Sequence, residues 1–270
     1  MAFSREELKR YSRQIAVKEI GIAGQQKLSE GSVLVIGAGG LGSSALMYLA
    51  AAGVGRIGIA DYDRVDLSNL ERQIIHRTDR IGMEKTKSAA MTLQAINPEV
   101  RTELYQERVT PDNITDLIRP YDIVLDATDH FENKLLVNDA CVLAGKPFVH
   151  AGVLAMSGQI MTWLPGEGPC LRCLSGSAPG LAEMPSCREA GVVGAAVSVI
   201  SSLQAMEAIR FLIGKGKLLT GRLLHYDGLT CTFDETEIPE HSPWCRVCGE
   251  HPDIRSLTDH PEEYVISCGA

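Results

Sequence analysis

The sequence predicts an α/β protein built on a doubly wound, mostly parallel sheet. Short apolar runs alternate with helical patterns through the first 150 residues, and that spacing requires parallel strands joined by right-handed crossovers. The first run, Val33-Leu34-Val35-Ile36, ends directly in Gly37-Ala38-Gly39-Gly40-Leu41-Gly42, a turn of the kind that carries a strand into a helix. Aromatic residues are only 5% of the chain while glycines number 26, which suits tight βα turns better than an aromatic-rich β-sandwich.

Each element follows from its own residues. Ser4-Arg5-Glu6-Glu7 fits a capping box, so one helix is expected from Arg5 to about Ile15. Val33–Ile36 has the continuous apolar pattern of a strand buried on both faces. Small and apolar residues from Ser43 to Ala52 predict a helix, and Ile57–Ala60 a strand ending at Asp61. Met83 to Ile96 is expected to be helical, closed by Asn97-Pro98. Strand, helix and strand follow at about Val100–Leu104, Asp112–Ile118 and Asp122–Asp126. A helix over Asn133–Ala144 leads into a strand at Phe148–His150. After residue 150 the alternation stops. Gln159–Leu164, Arg222–Asp227 and Thr230–Phe233 predict antiparallel strands that extend the same sheet, around a helix from Gly191 to Ile213. Leu174–Ala190, rich in Gly, Pro and Ser, predicts a mobile loop. No repeat or Pro/Ser-rich linker divides the chain, so residues 1–270 are read as one domain with halves at 1–165 and 166–270.

Charge excludes some functions. With 26 basic residues against 34 acidic, net −8, the chain has no basic excess for a nucleic-acid groove or an anionic membrane surface. The polar N-terminus MAFSREELKRYSRQ lacks a signal-peptide core. The apolar stretch Ala190–Leu203 is short for a bilayer span and is soon followed by Gln204, Glu207 and Arg210. A buried helix and a cytoplasmic location are therefore expected. In that reducing compartment, eight cysteines are not a disulfide framework.

Gly37–Gly42 satisfies G-x-G-x-x-G between a strand and a helix, so the expected sheet is Rossmann-like. Glycines let the backbone approach phosphates, and the helix N-terminus offers unpaired N–H groups to an anion. Asp61, 19 residues past Gly42, stands where a carboxylate can accept from ribose hydroxyls. The motif implies an adenine nucleotide without choosing between NAD and ATP. Ser68-Asn69-Leu70-Glu71-Arg72-Gln73 follows the second strand, Lys85 comes 13 residues after Arg72, and Asp126-Ala127-Thr128-Asp129 closes the fourth strand. Two cations and a carboxylate at that edge suit a triphosphate with Mg²⁺; taken singly, residues such as Arg72 and Lys85 are more often solvated surface charges.

Arg10-Tyr11-Ser12-Arg13-Gln14-Ile15, Gly37–Gly42, Asp61-Tyr62-Asp63, Ser68–Gln73 and Thr128-Asp129 together resemble the ThiF/MoeB/HesA family. These are bacterial relatives of ubiquitin-activating enzymes that adenylate small ubiquitin-fold sulfur carriers, of ThiS or MoaD type, in thiamin or molybdopterin biosynthesis. The resemblance implies that Gly37, Gly39, Gly40, Gly42, Asp61, Ser68, Asn69, Arg72 and Lys85 bind ATP. It implies that Asp129 holds Mg²⁺ and that Arg13 reaches the phosphates of the neighbouring subunit in a homodimer. Residues 1–165 would then form the nucleotide-binding half and 166–270 the zinc- and carrier-binding half. Partners would be a carrier ending in Gly-Gly and a separate sulfur donor, a cysteine desulfurase or rhodanese-like protein. Two residues depart from the family pattern: His130 stands in place of the usual Asn, and Glu71 in place of the commoner Gln. His76, His130 and His150 are read as structural or solvated, not as bases.

Cys170-Leu171-Arg172-Cys173 and Cys245-Arg246-Val247-Cys248 are two C-x-x-C knuckles. Four thiolates make a closed tetrahedral Zn²⁺ site with a structural role; two redox pairs or free thiols are the alternative. Cys141, in a helix, and Cys231, in a strand, are expected as small core residues. Cys187 lies in the Gly/Pro-rich loop beside Arg188, shortly before a helix, a setting that lowers a thiol pKa. In some members of the family a cysteine at this place bonds covalently to the activated carrier, as thioester or acyl disulfide, while others complete adenylation without it; an inert loop thiol is the other reading. Tyr264 to Gly269 resembles the family's C-terminal Tyr-x-x-x-Cys-Gly and includes Cys268. Competing functions are an NAD(P)-dependent oxidoreductase on the same glycine turn and a non-catalytic family member.

Overall fold

Parallel strands β1 (Ser32–Ile36), β2 (Arg56–Ala60), β3 (Arg101–Tyr105), β4 (Ile123–Asp126) and β5 (Phe148–Leu154) lie in the order β3-β2-β1-β4-β5 in this computed structural model, which describes residues 3–175, 191–238 and 240–265. Antiparallel β6 (Ser157–Trp163), β7 (Arg222–Asp227) and β8 (Thr232–Glu237) continue the sheet beyond β5. The chain runs outward from β1 to β3, then returns to place β4 on the other side of β1. That reversal opens a crevice at the carboxyl ends of β1 and β4, where ligands bind in open α/β sheets. The fold class read from the sequence holds, antiparallel extension included.

Successive side chains of a strand point to opposite faces, and here both faces are covered. Val33, Val35, Ile57, Ile59 and Leu125 face one apolar layer. That layer holds α3 (Gly21–Glu30), α4 (Gly40–Ala52), α5 (Lys85–Ile96) and the long helix α9 (Gly194–Ile213). Leu34, Ile36, Val124 and Phe148 face the other layer, which holds α6 (Ile114–Ile118), α7 (Phe131–Leu143), the short α8 (Leu171–Ser175) and the paired cysteines. Burial on both sides explains why β1 and β4 read as unbroken apolar runs.

Helix α9 alone among the described helices is long and apolar enough to cross a membrane. It packs instead against α4 and β5 and buries Gln204 and Glu207, both fully inside. Small residues allow the close crossing of α4 and α9: Ser44 Oγ donates to Ser198 Oγ at 3.1 Å, and Ser201 Oγ accepts from the Ala45 N–H at 2.8 Å.

Several elements differ from the sequence expectation. The N-terminal helix is two pieces, α1 (Arg5–Arg10) and α2 (Ser12–Ile15), broken at Tyr11. Its capping box forms as expected, Ser4 and Glu7 exchanging bonds of 2.7 and 3.1 Å. Tyr11 leaves the helix because its ring is buried under Gly53 and its hydroxyl accepts from Asn97 at 2.8 Å. Helix α3 was not legible: Gly21 and Gly24 argue against a helix, yet Leu28 and Gln25 are fully buried against its neighbours. Cys231 is a correction. It is exposed, in the turn between β7 and β8 at φ +56°, and β8 starts at Thr232. Cys141 is in the core as expected. The stretch holding Cys187, and Cys268 with it, lies outside the described residues.

Candidate adenylation site

The crevice at the switch point is a cavity of about 690 Å³. Gly37, Gly39 and Gly40 form one wall. Gly37 sits at φ +104°, and a Cβ there would stand 2.5 Å from the Ala127 carbonyl; only glycine lets β1 turn so close to β4. Gly42 does not line the cavity. A Cβ on it would stand 2.0 Å from the Gly37 carbonyl, so its role is to let α4 pack onto the turn. Helix α4 starts at Gly40, and its N-cap Gly39 supplies no side-chain hydrogen bond, leaving its first N–H groups without intrahelical acceptors.

Asp61, Ser68, Asn69, Arg72, Lys85 and Asp129 line the same cavity. Asp61 Oδ2 accepts from the Ala38 N–H and Oδ1 from the Asp63 N–H, each at 2.8 Å, so the carboxylate braces the glycine turn. Burial pushes its pKa up, against the pull of Lys85 and those two N–H groups. Lys85 is buried, with Nζ 3.0 Å from Asp63 Oδ2. Arg72 donates to the Ser68 carbonyl at 3.0 Å and pairs with Glu71. The unusual Glu71 therefore turns toward the guanidinium. His130 lines the cavity at the start of α7, with Nε2 3.9 Å from Asp129 Oδ1. Arg13 stands apart, exposed on α2 and outside this cavity.

Beside the cavity, with Lys134 among its lining residues, lies a set of buried polar groups, of which the sequence reading takes His76 and His150 only as structural or solvated and gives Lys134 no role. His76 Nε2 is 2.9 Å from the Ala38 carbonyl and Nδ1 is 2.9 Å from Ser88 Oγ. A carbonyl only accepts, so Nε2 carries the proton and Nδ1 accepts from Ser88. Burial holds the His76 pKa down to about 4. Asp126 is fully buried; burial raises its pKa, but Lys134, His150 and Thr128 together outweigh that and hold it at about 2. Lys134 was invisible to pattern reading because a lysine in a helix ordinarily reads as surface.

The four knuckle cysteines come together. Their Sγ atoms lie within 4.8 Å of one another, with individual spacings of 3.4, 3.5, 3.6 and 3.9 Å. Bonds of about 2.3 Å to a tetrahedral zinc place sulfurs about 3.8 Å apart, so the set fits that ion. The Ser242 N–H donates to Cys173 Sγ at 3.4 Å and Asn138 Nδ2 to Cys170 Sγ at 3.8 Å, the donors a thiolate needs.

A family model described as the ThiF family matches residues 11–247. The chain belongs to the ThiF family. Among family relatives, a protein named sulfur carrier protein adenylyltransferase from Thermus thermophilus is 46% identical, covering 100% of this chain and 99% of its own length. The protein named adenylyltransferase and sulfurtransferase MOCS3 from Bos taurus is 43% identical over 100% of this chain, which spans 58% of that longer relative. The same named protein from Anopheles gambiae is 42% identical, and again the chain spans 58% of it. The fold recurs in E. coli MccB, solved with ATP, at TM-score 0.78 and 23% identity over 88% of this chain and 74% of that one.

Proposed function

We infer that this ThiF-family chain uses ATP to adenylate the C-terminal Gly-Gly carboxylate of a small ubiquitin-fold sulfur carrier, releasing pyrophosphate. The observation that carries the reading is the convergence of Arg72, Lys85 and Asp129 on one cavity behind a glycine turn. The full-length relative named as a sulfur carrier adenylyltransferase supports it. An oxidoreductase would need no such cations.

The chemistry suits these side chains. A C-terminal carboxylate has a pKa of about 3.5 and is already a nucleophile at neutral pH, so no general base is needed. The barrier is repulsion between the carboxylate and the α-phosphate, with charge growing on departing pyrophosphate. Lys85 and Arg72 are positioned cations that oppose both. The α4 N-terminus and Gly37–Gly40 turn seat the phosphates. Asp129, a hard oxygen donor with 70% of its side chain exposed at the cavity, fits Mg²⁺ held jointly with phosphate oxygens, and that ion would neutralise phosphate charge when bound. Asp61 accepts from the ribose hydroxyls in this reading.

The wider arrangement is proposed with it. Cys170, Cys173, Cys245 and Cys248 hold a structural zinc that pins the 166–270 half, where the carrier docks, against α7. The chain acts as a cytoplasmic homodimer in which exposed Arg13 serves the partner's cavity. A cysteine desulfurase or rhodanese-like protein supplies sulfur. The Cys187 thiolate attacks the acyl-adenylate and expels AMP to leave a thioester, a step separate from adenylation: Cys187→Ala should keep pyrophosphate exchange and lose a thiol-sensitive adduct on intact-mass measurement. Carrier-dependent ATP–pyrophosphate exchange tests the whole reading. Tight NADH binding without ATP binding would overturn it.

A further inference from the structure

A buried ion pair lies directly under the Asp129 turn, and the chemistry above gives it no task. Asp126 closes β4 with 1% exposure. Its Oδ1 accepts from the Thr128 N–H at 3.1 Å and from the Thr128 hydroxyl at 2.7 Å. Its Oδ2 accepts from His150 Nδ1 at 2.9 Å and faces Lys134 Nζ at 3.5 Å. Lys134, in the first turns of α7, donates to the carbonyls of Thr128 and Ala151, both at 2.6 Å.

Well-packed apolar groups would give equal stability here, because a buried ion pair spends most of its attraction on desolvation. What the ionic set does is fix geometry. Asp126 holds Thr128 by its N–H and hydroxyl, Lys134 holds it by its carbonyl, and Lys134 ties the same point to β5. Asp129 is the next residue. Its own carboxylate is 70% exposed and stands 3.9 Å from His130 Nε2, too far for a hydrogen bond. Its place at the cavity is therefore inherited from Thr128.

We propose that Asp126 and Lys134 are positioning residues for the nucleotide site, clamping Thr128 so that Asp129 presents its carboxylate at a fixed point to a divalent cation bound with ATP. The proposal rests on the adenylation reading for Asp129's role, but not on any carrier. A carboxylate that wanders by an ångström loses much of its hold on the cation.

The test replaces Mg²⁺ by Mn²⁺ and reads free Mn²⁺ by electron paramagnetic resonance in the presence of full-length protein and ATP. Lys134→Met keeps the stem and removes the charge. The Mn²⁺ concentration for half-saturation should rise about tenfold, and Lys134→Arg, whose guanidinium offers donors to both carbonyls and the carboxylate, should restore most of it. An unshifted midpoint in a Lys134→Met protein with wild-type zinc content and melting temperature overturns the proposal. Should that variant fail to fold, Thr128→Val removes one bond to Asp126, and a midpoint equal to wild type again overturns it. Carrier-dependent exchange run alongside separates the two ideas. A wild type that binds Mn²⁺ and ATP but exchanges nothing sinks adenylation alone; one that exchanges, beside an unshifted Lys134→Met, sinks positioning alone.

Discussion

Lys85 Nζ lies 3.0 Å from Asp63 Oδ2, and only 6% of the lysine side chain is exposed. The ammonium is thus aimed by a carboxylate at the cavity's edge, two residues beyond the Asp61 that braces the glycine turn. Removing a preorganised charge from such a site costs about 3–4 kcal/mol in the transition state. Lys85→Ala should lower carrier-dependent exchange 10²–10³-fold. Asp63→Asn, which leaves the cation but loosens its aim, should cost roughly tenfold. Equal losses in both variants would show that Asp63 acts on the nucleotide directly.

His76 gives the fold a dependence on pH. Its folded pKa of about 4 lies below the value near 6.5 of an unfolded histidine. Between those values the unfolded chain binds a proton that the folded one refuses, so stability rises with pH in that window. The contribution is complete above pH 6.5 and is lost as pH falls toward 4. His150, also held down by burial, acts in the same direction. The urea midpoint should fall steadily from pH 7 to pH 4.5. His76→Gln, whose amide can donate to the Ala38 carbonyl, should flatten part of that slope.

Zinc should co-purify at one ion per chain, and Cys248→Ser should release it. Cys173 and Cys248 are 75 positions apart, so an ion bound there would close a long loop, and loss of the site would act mainly on residues around the second knuckle. Limited proteolysis of the serine variant should cut first between 240 and 265. Full resistance there, with the metal gone by elemental analysis, would mean that the ion does not order this segment.

Asp139 of α7 should matter to stability without touching the cavity. It accepts from Arg172 Nε and the guanidinium at 2.7–2.9 Å and from the Tyr264 hydroxyl at 2.7 Å. Asp139→Ala leaves a buried arginine with Glu263 as its remaining carboxylate. The loss should be about 3 kcal/mol in denaturant unfolding, with nucleotide affinity unchanged. A drop in ATP affinity of more than threefold would couple the cysteine layer to the cavity through α7.

What the sequence revealed was whatever has a local signature. Val33–Ile36 followed by Gly37–Gly42 announces a buried strand and a phosphate turn within ten residues, and each knuckle is complete in four. What it hid depends on tertiary contact. Tyr11 breaks a well-capped helix only because Gly53 leaves room for its ring. Helix α3 is held by Leu28 against α9, not by its own propensity. Lys134 looks like a surface lysine until β5 supplies the Ala151 carbonyl. Gly42 carries the motif's spacing yet serves packing, because in the fold it faces the Gly37 carbonyl.

Arg13 poses the last test. It is exposed on α2 and does not line its own chain's cavity, whereas Asp129 does. If Arg13 completes a partner's site, each cavity in a homodimer draws Asp129 from one chain and Arg13 from the other. Arg13→Ala should lower the exchange rate more than ATP affinity, since charge on the departing pyrophosphate develops in the transition state. Asp129→Ala should abolish exchange with the melting temperature little changed, because the side chain is exposed. As pure homodimers, the Arg13→Ala protein is then slow and the Asp129→Ala protein inactive. Mixed and allowed to exchange subunits, they form a heterodimer with one cavity lacking both groups and one intact. Random pairing makes half of the dimers heterodimers, each with one working cavity of two, so about a quarter of wild-type activity should return. Heterodimers verified by mass with no recovered exchange would place Arg13 in the service of its own chain.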